Sequence, residues 1–199
     1  PSRYPQATWA SLAGYVNDVY KLNDKLSVQA GLRYNWFKLE ADFSNNLPFY
    51  PLPFSTSSSQ NAALTGSLGA VYRPTSSWVL STNFGTAFRA PNVDDMGKVF
   101  DSEPGSVTVP NPDLKAEYAY NVDVSAAKLF WNVLKIDLTG YYTILQNAMV
   151  RRNYTLNGAD SIMYNGELSQ VQAVQNAAVA NVYGVQAGLE LKLPAGFTF

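Results

Sequence analysis

The chain has 199 residues, of which 47% are hydrophobic and 15% charged, with a net charge of −1 and neither histidine nor cysteine. Such a balance supplies no basic face for nucleic acid, whose phosphates require one. Without histidine or cysteine there is no Ser-His-Asp triad, no imidazole or thiolate metal site and no disulfide.

Period-two alternation runs through the chain, and side chains alternate across a strand, so each such stretch carries one apolar and one polar surface. A weak copy at Thr8–Tyr20 is followed by a short turn at Leu22–Lys25. The next strand places Leu26, Val28, Ala30, Leu32, Tyr34 and Trp36 on one face and Ser27, Gln29, Gly31, Arg33 and Asn35 on the other. A long loop is expected at 44–60, then strands at Ala62–Tyr72 and Trp78–Phe88 joined by the turn Pro74–Ser77. A second long loop, 91–114, leads to a strand at Tyr118–Lys128 and the turn Leu129–Asn132. The clearest alternation, Val133–Gln146, sets Leu134, Ile136, Leu138, Gly140, Tyr142 and Ile144 against Lys135, Asp137, Thr139, Tyr141 and Thr143. A third long loop, 147–180, precedes a strand at Gly184–Leu193, the turn Pro194–Gly196 and an eighth strand beginning at Phe197. No segment has clear helical periodicity; Leu168–Ala180 comes nearest and is ambiguous.

The connections alternate strictly between short and long. Loops beyond ~12–15 residues are uncommon in compact domains, so three at one end of a meander need a cause. An outer-membrane barrel supplies it, with short turns at one end, long loops at the other and apolar-out, polar-in strands of about ten residues or more. The competing reading is a soluble sandwich or propeller, but soluble strands cluster at ~5–6 residues and these patterns are about twice as long. Trp78 and Tyr72 beside a short turn, and Tyr34, Trp36 and Phe88 towards the long loops, sit where interfacial aromatic girdles belong. The fold expected is all-β, an antiparallel up-and-down meander forming part of a large transmembrane β-barrel over 1–199. No apolar run reaches the ~18–20 residues of a membrane-spanning helix. With no signal peptide visible, the sequence reads as a piece of a longer protein.

Four segments in order are similar to the TonB-dependent receptors, the gated transport barrels of the Gram-negative outer membrane: GLRYN (Gly31 to Asn35), FRAPNVDDM (Phe88 to Met96), NPDLKAE (Asn111 to Glu117) and NVYGVQAGLELK (Asn181 to Lys192). Ala116 stands where the family usually has proline, and Asp95 and Gln186 stand where glutamate is common. The resemblance implies a barrel of roughly 22 strands with a plugged lumen, of which this chain supplies about a third of the wall. It further implies energised uptake of a scarce ligand, such as an iron–siderophore or other nutrient. The implied partners are outer-membrane lipid, the rest of the barrel and its plug, TonB through an N-terminal region, and an extracellular ligand. No nucleic acid and no cofactor are implied.

Arg89 shares the polar register of Val79, Ser81, Asn83 and Gly85, and Glu117 that of Asn121 and Asp123 on the next antiparallel strand. The two are expected to meet at the rim and tie the strands together. Pro91 and Pro112 cannot continue a ladder and mark the loop boundaries. Ligand candidates are Asn92, Asp94, Asp95, Met96, Lys98 and Phe100, with Asp101 and Glu103 nearby, in a loop read as exposed. Arg151, Arg152 and Tyr154, at the opening of the third loop, offer two cations and an aromatic to an anionic ligand. FRAP and NPDL boxes flanking a histidine resemble the haem-receptor branch, but Ala90 to Pro110 contains none, leaving Met96 and Tyr154 as weak iron ligands.

Two other functions compete. One is a non-energised porin or adhesin-like barrel. The other is an outer-membrane enzyme, disfavoured because Asp94 and Asp95 are adjacent rather than facing across a cleft.

Overall fold

The alternating pattern folds into one twisted antiparallel sheet in a computed structural model that describes residues 4–49 and 52–193, without the side chains of 101, 102 and 178. Seven long strands form the wall: β1 (Gln6–Lys21), β2 (Leu26–Asp42), β3 (Thr56–Tyr72), β4 (Trp78–Arg89), β7 (Glu117–Phe130), β8 (Leu134–Asn153) and β10 (Glu167–Leu191). Between β4 and β7 lie a short helix, α1 (Val93–Gly97), and a small hairpin, β5 (Phe100–Glu103) and β6 (Ser106–Thr108). A further strand, β9 (Ser161–Tyr164), precedes β10. The expected turn at Pro194–Gly196 and the strand start at Phe197 lie outside the described residues.

Register carries the two-faced pattern across the whole sheet. One row runs Asn17, Gly31, Ser67, Gly85, Asn121, Thr143, each residue opposite the next. Every residue of that row is small or polar, and Asp123 one row away accepts from Asn121 Nδ2 at 3.1 Å and Asn83 Nδ2 at 3.5 Å. The opposite face is an exposed apolar belt that includes Leu32, Leu68, Phe84, Val124, Leu138 and Val185. Roughly ten residues separate Trp78 from Phe88; at ~3.4 Å per residue and a tilt of ~40° they span about 26 Å, the height of a membrane-facing band.

At the short end, Asn23 Oδ1 accepts from the amides of Lys25 and Leu26, both at 2.9 Å, closing the β1–β2 turn. Trp131 (φ 52°) and Asn132 (φ 58°) form a two-residue left-handed hairpin turn between β7 and β8.

The long end departs from the sequence reading. β3 begins at Thr56, inside the 44–60 loop, and the 147–180 loop contracts: residues 147–153 continue β8 and 167–180 belong to β10. Leu168–Ala180 is therefore strand. Alternation fades there because the covered face carries polar Ser169 beside Val171 and Ala173, while the open face carries Leu168. Two register shifts between Asn176 and Ala180 add to the irregularity. The 91–114 segment is likewise not an open loop. It holds α1 and the β5–β6 hairpin, and β6 pairs in parallel with Gln170–Gln172 of β10.

The wall also splits at this end. β3 and β4 are paired only from Ser67↔Gly85 to Tyr72↔Leu80. At the split Thr86 Oγ1 accepts from Gly66 N at 2.8 Å and donates to Gly66 O at 3.3 Å, replacing the missing ladder partner. Above it, rings take over from backbone pairing: Trp9 stacks on Phe37 (5.3 Å), Phe37 on Phe88 (6.0 Å), and Phe88 leans on Tyr118 (6.3 Å).

Candidate functional site

The two sequence boxes converge on the long-loop rim. β4 ends at Arg89 and β7 starts at Glu117, directly opposite each other in the ladder. Arg89 Nη1 donates to Glu117 Oε2 at 3.1 Å, and Nη2 donates to both oxygens of Asp95 at 2.7 Å. Asp95 is placed by α1. Asn92 caps the helix by accepting from Asp95 N at 2.9 Å, while Asp95 Oδ2 accepts from Asn92 N at 3.0 Å. The second oxygen of Glu117 accepts from Met149 N on β8. One guanidinium and two carboxylates thus join β4, α1, β7 and β8. Glu117 is almost fully buried, so its charge is held by short, charge-assisted bonds.

Two asparagines complete the clamp. Asn111 Nδ2 donates to Val174 O at 2.8 Å, Asn111 N donates to Met96 O at 3.1 Å, and Asn111 Oδ1 accepts from Asp113 N at 3.1 Å. Asn176 Oδ1 accepts from Lys115 N at 2.7 Å, and its Nδ2 donates to the carbonyls of Lys115 and Asn147. The NPDLK segment is therefore sewn to the bulged part of β10.

Beyond the clamp, Asp94 Oδ1 accepts from the Tyr4 hydroxyl at 2.9 Å and lies 3.2 Å from Lys98 Nζ. The Tyr4 hydroxyl, and then Lys98, hold the Asp94 carboxyl below the usual carboxylate range, against its partial burial. Lys98 is raised in turn by its bonds to Asp94 and Tyr4. The Phe100 ring has Lys98 Nζ 4.5 Å from its centre and the Arg151 guanidinium 4.9 Å from it. Gly97 lies against Pro5, where a Cβ would come within 2.9 Å of the proline ring.

All three long connections share buried cores over the polar face of the wall. Phe43 and Leu52 from the first, Val99, Val107 and Val109 from the second, and Leu156 from the third pack with Ala41, Val171 and Ala173. Met96 and Leu114 pack on Leu39 in a second cluster.

These positions revise the candidate ligand residues. Met96 is 1% exposed, because the apolar side of α1 faces β2, and it is out of reach of a docking ligand. Asp95 is committed to Arg89, and Asp94 to Tyr4 and Lys98. Arg151 and Arg152 lie on a strand rather than opening a loop, and neighbours on a strand point to opposite faces, so they do not act as one cationic pair. Tyr154 is half-buried against the larger core. Asn92 and Arg152 are exposed, while Lys98 and Phe100 are half-buried. Sequence reasoning missed Asn111 and Asn176 as clamp members and Tyr4 as the partner of Asp94. It also missed the Asn157-Gly158 and Asn165-Gly166 turns, whose left-handed backbone (φ 54° and 81°, 49° and 85°) is the usual mark of a tight hairpin. Among the described residues no group of three acidic side chains is placed to hold a metal ion.

A family model described as "TonB dependent receptor-like, beta-barrel" matches residues 1–199. No curated protein matches the sequence. Among solved structures, the FrpB iron transporter from Neisseria meningitidis (F3-3 variant) is 18% identical with a TM-score of 0.60 over 94% of this chain and 24% of its own. The copper transporter OprC is 15% identical with a TM-score of 0.71, over 96% of this chain and 27% of its own. The hemophore receptor HasR of Serratia marcescens, a double mutant in complex with its hemophore HasA and heme, is 17% identical with a TM-score of 0.70, over 94% and 32%. The chain spans about a quarter to a third of the length of these structures, and at such identities they show a common fold. With the family match over its whole length, and with an apolar belt on one face and a polar wall on the other, the chain belongs to the β-barrel family of the TonB-dependent receptors of the outer membrane.

Proposed function

We propose that this chain forms wall and outer loops of a receptor for energised uptake of a scarce ligand, an iron–siderophore or another nutrient. The observation that carries this reading is the mouth of the wall, where all three long connections pack into shared cores over the polar face. Connections packed together over the wall in this way suit a receptor that admits cargo only after docking more than an open diffusion pore. The iron, copper and hemophore–heme systems among the similar structures favour a metal-bearing cargo. Family membership implies a plug inside the barrel, TonB acting on that plug and a ligand arriving from outside. Arg89 and Glu117 serve as rim anchors in this reading, and Asn92, Lys98, Phe100, Arg151 and Arg152 are the candidates left for cargo.

Uptake of radioactive iron complexes by cells with and without the parent receptor tests the proposal. Receptor-dependent accumulation that a protonophore abolishes is expected. Accumulation indifferent to the protonophore, or binding without accumulation, would instead favour a non-energised porin or adhesin-like barrel.

A further inference from the structure

We propose that the lipid face of the wall, near the short turns of β4 and β7, holds one phospholipid of the periplasmic leaflet. Lys128 takes its phosphate, and a notch beside Lys128 takes one acyl chain. The strands that build this surface, β3, β4, β7 and β8, each have a neighbour on both sides within this chain, so it is finished wall rather than open edge. Short turns of such barrels face the periplasm, and Lys128 lies two residues from the end of β7 at one of them.

Lys128 breaks the pattern of its face. It shares the outward register of Tyr120, Val122, Val124 and Ala126, and it stands opposite Trp78 on β4 and Ile136 on β8. A charge among lipid-facing side chains is tolerated near the interface, where a long side chain reaches polar groups. The ammonium lies 4.8 Å from the centre of the Trp78 ring and 4.7 Å from that of Phe130. These rings hold the cation in place but supply no oxygen to accept its three N–H donors. Among the described residues no carboxylate lies within ion-pair distance of it and no oxygen accepts from it. Trp131, 84% exposed in the turn, leans on Phe130 at 5.8 Å and marks the water side of the cluster.

Residue size makes the notch. Across β3 and β4 the outward pairs are Tyr72 with Leu80, Ala70 with Thr82, and Leu68 with Phe84. The small middle pair lies between two bulky ones, and the depression continues past Thr82 to Ala126, the outward neighbour of Lys128. It holds about 300 Å³, at the lower end of the ~300–1,000 Å³ range of small-molecule sites. Thr82 Oγ1 donates to Asp123 O at 3.0 Å, so its hydrogen is spent within the wall. A cation on the water side of an apolar notch matches a phosphate joined to an acyl chain. Free phosphate would meet only the cation, and a neutral diacylglycerol only the notch.

Photo-crosslinking of the full-length receptor in a non-ionic detergent tests this. The probes are phosphatidylglycerol with a diazirine in one acyl chain and the diacylglycerol with the same chains. The phosphatidylglycerol probe is expected to label peptides around Thr82 and Ala126 about five-fold more than the rest of the apolar belt. The diacylglycerol should show no such preference, and inorganic phosphate at the probe's concentration should not compete. Lys128→Gln should lower the labelling about five-fold, and Lys128→Arg should keep most of it. Ala126→Phe fills the notch and should lower it by a similar factor; it serves alone if Lys128→Gln fails to fold. Lys135→Gln, which removes a cation at the same height on the polar face, should leave it unchanged. Even labelling along the belt, an equal preference from the diacylglycerol, or full labelling of either Lys128→Gln or Ala126→Phe overturns the proposal. Displacement by inorganic phosphate overturns it too, since the notch would then contribute nothing.

Discussion

Glu117 shows how much one side chain carries at the rim. It accepts from Arg89 through one oxygen and from Met149 N through the other, in a nearly buried position. Glu117→Ala leaves a buried amide without its acceptor and a guanidinium with one carboxylate instead of two. A loss of about 1–3 kcal/mol is expected, read as a lower unfolding midpoint of the full-length receptor. The Tyr4–Asp94–Lys98 tie makes a pH-dependent counterpart. Asp94 has a folded pKa below its unfolded one, so its contribution is complete above about pH 4 and disappears as pH falls through the lower folded value. Lys98 has a raised folded pKa, so its contribution holds below about pH 10 and disappears as pH rises through the higher folded value. Pepsin cleavage within residues 91–114 should therefore increase as pH drops below about 4 in the native receptor. In Asp94→Asn it should no longer depend on pH across that step. Register arithmetic alone sets Arg89 opposite Glu117. Asp95 enters only because a five-residue helix turns it back towards Arg89, and Tyr4 because a segment ninety positions away passes the same spot.

At the scale of elements, the informative place is where β3 and β4 part. A strand edge with no partner is costly unless something satisfies its peptide groups, and Thr86 does so for Gly66 with a single hydroxyl. Thr86→Val keeps the shape and removes both bonds. It should accelerate amide exchange in a peptide containing Gly66 and cost about 1–3 kcal/mol. The long strands themselves are plain in the alternation, because which face a side chain takes is decided two residues at a time. Upper β10 is not, because bulges shift its register, a serine is buried at Ser169 and a leucine exposed at Leu168. The β5–β6 hairpin is equally hidden, since its pairing with β10 joins residues more than sixty positions apart.

The whole molecule is a wall between lipid and a polar interior, and it sorts substitutions by face. Leu68, 57% exposed, lies midway along the apolar belt of β3, between Leu64 and Tyr72. Leu68→Arg should cost about 2–4 kcal/mol, the expense of a charge at mid-bilayer, measured as the urea midpoint of the receptor in liposomes. Ser81→Arg, on the polar face in the row with Val71 and Ser125, should cost clearly less. Equal costs at the two sites would mean that the belt does not face lipid.

The sequence by itself determined the wall: seven two-faced strands, short turns at one end, and the side that meets lipid. These are local properties, set by residue type at period two and by turn chemistry. Tertiary structure alone decided the mouth. It buried Met96, drew Asp95 and Glu117 onto one guanidinium, fastened Asn111 to Val174, and stacked Trp9, Phe37 and Phe88 across the split. Each of these contacts joins separate elements, and no periodicity along a chain encodes which distant segments will share a core.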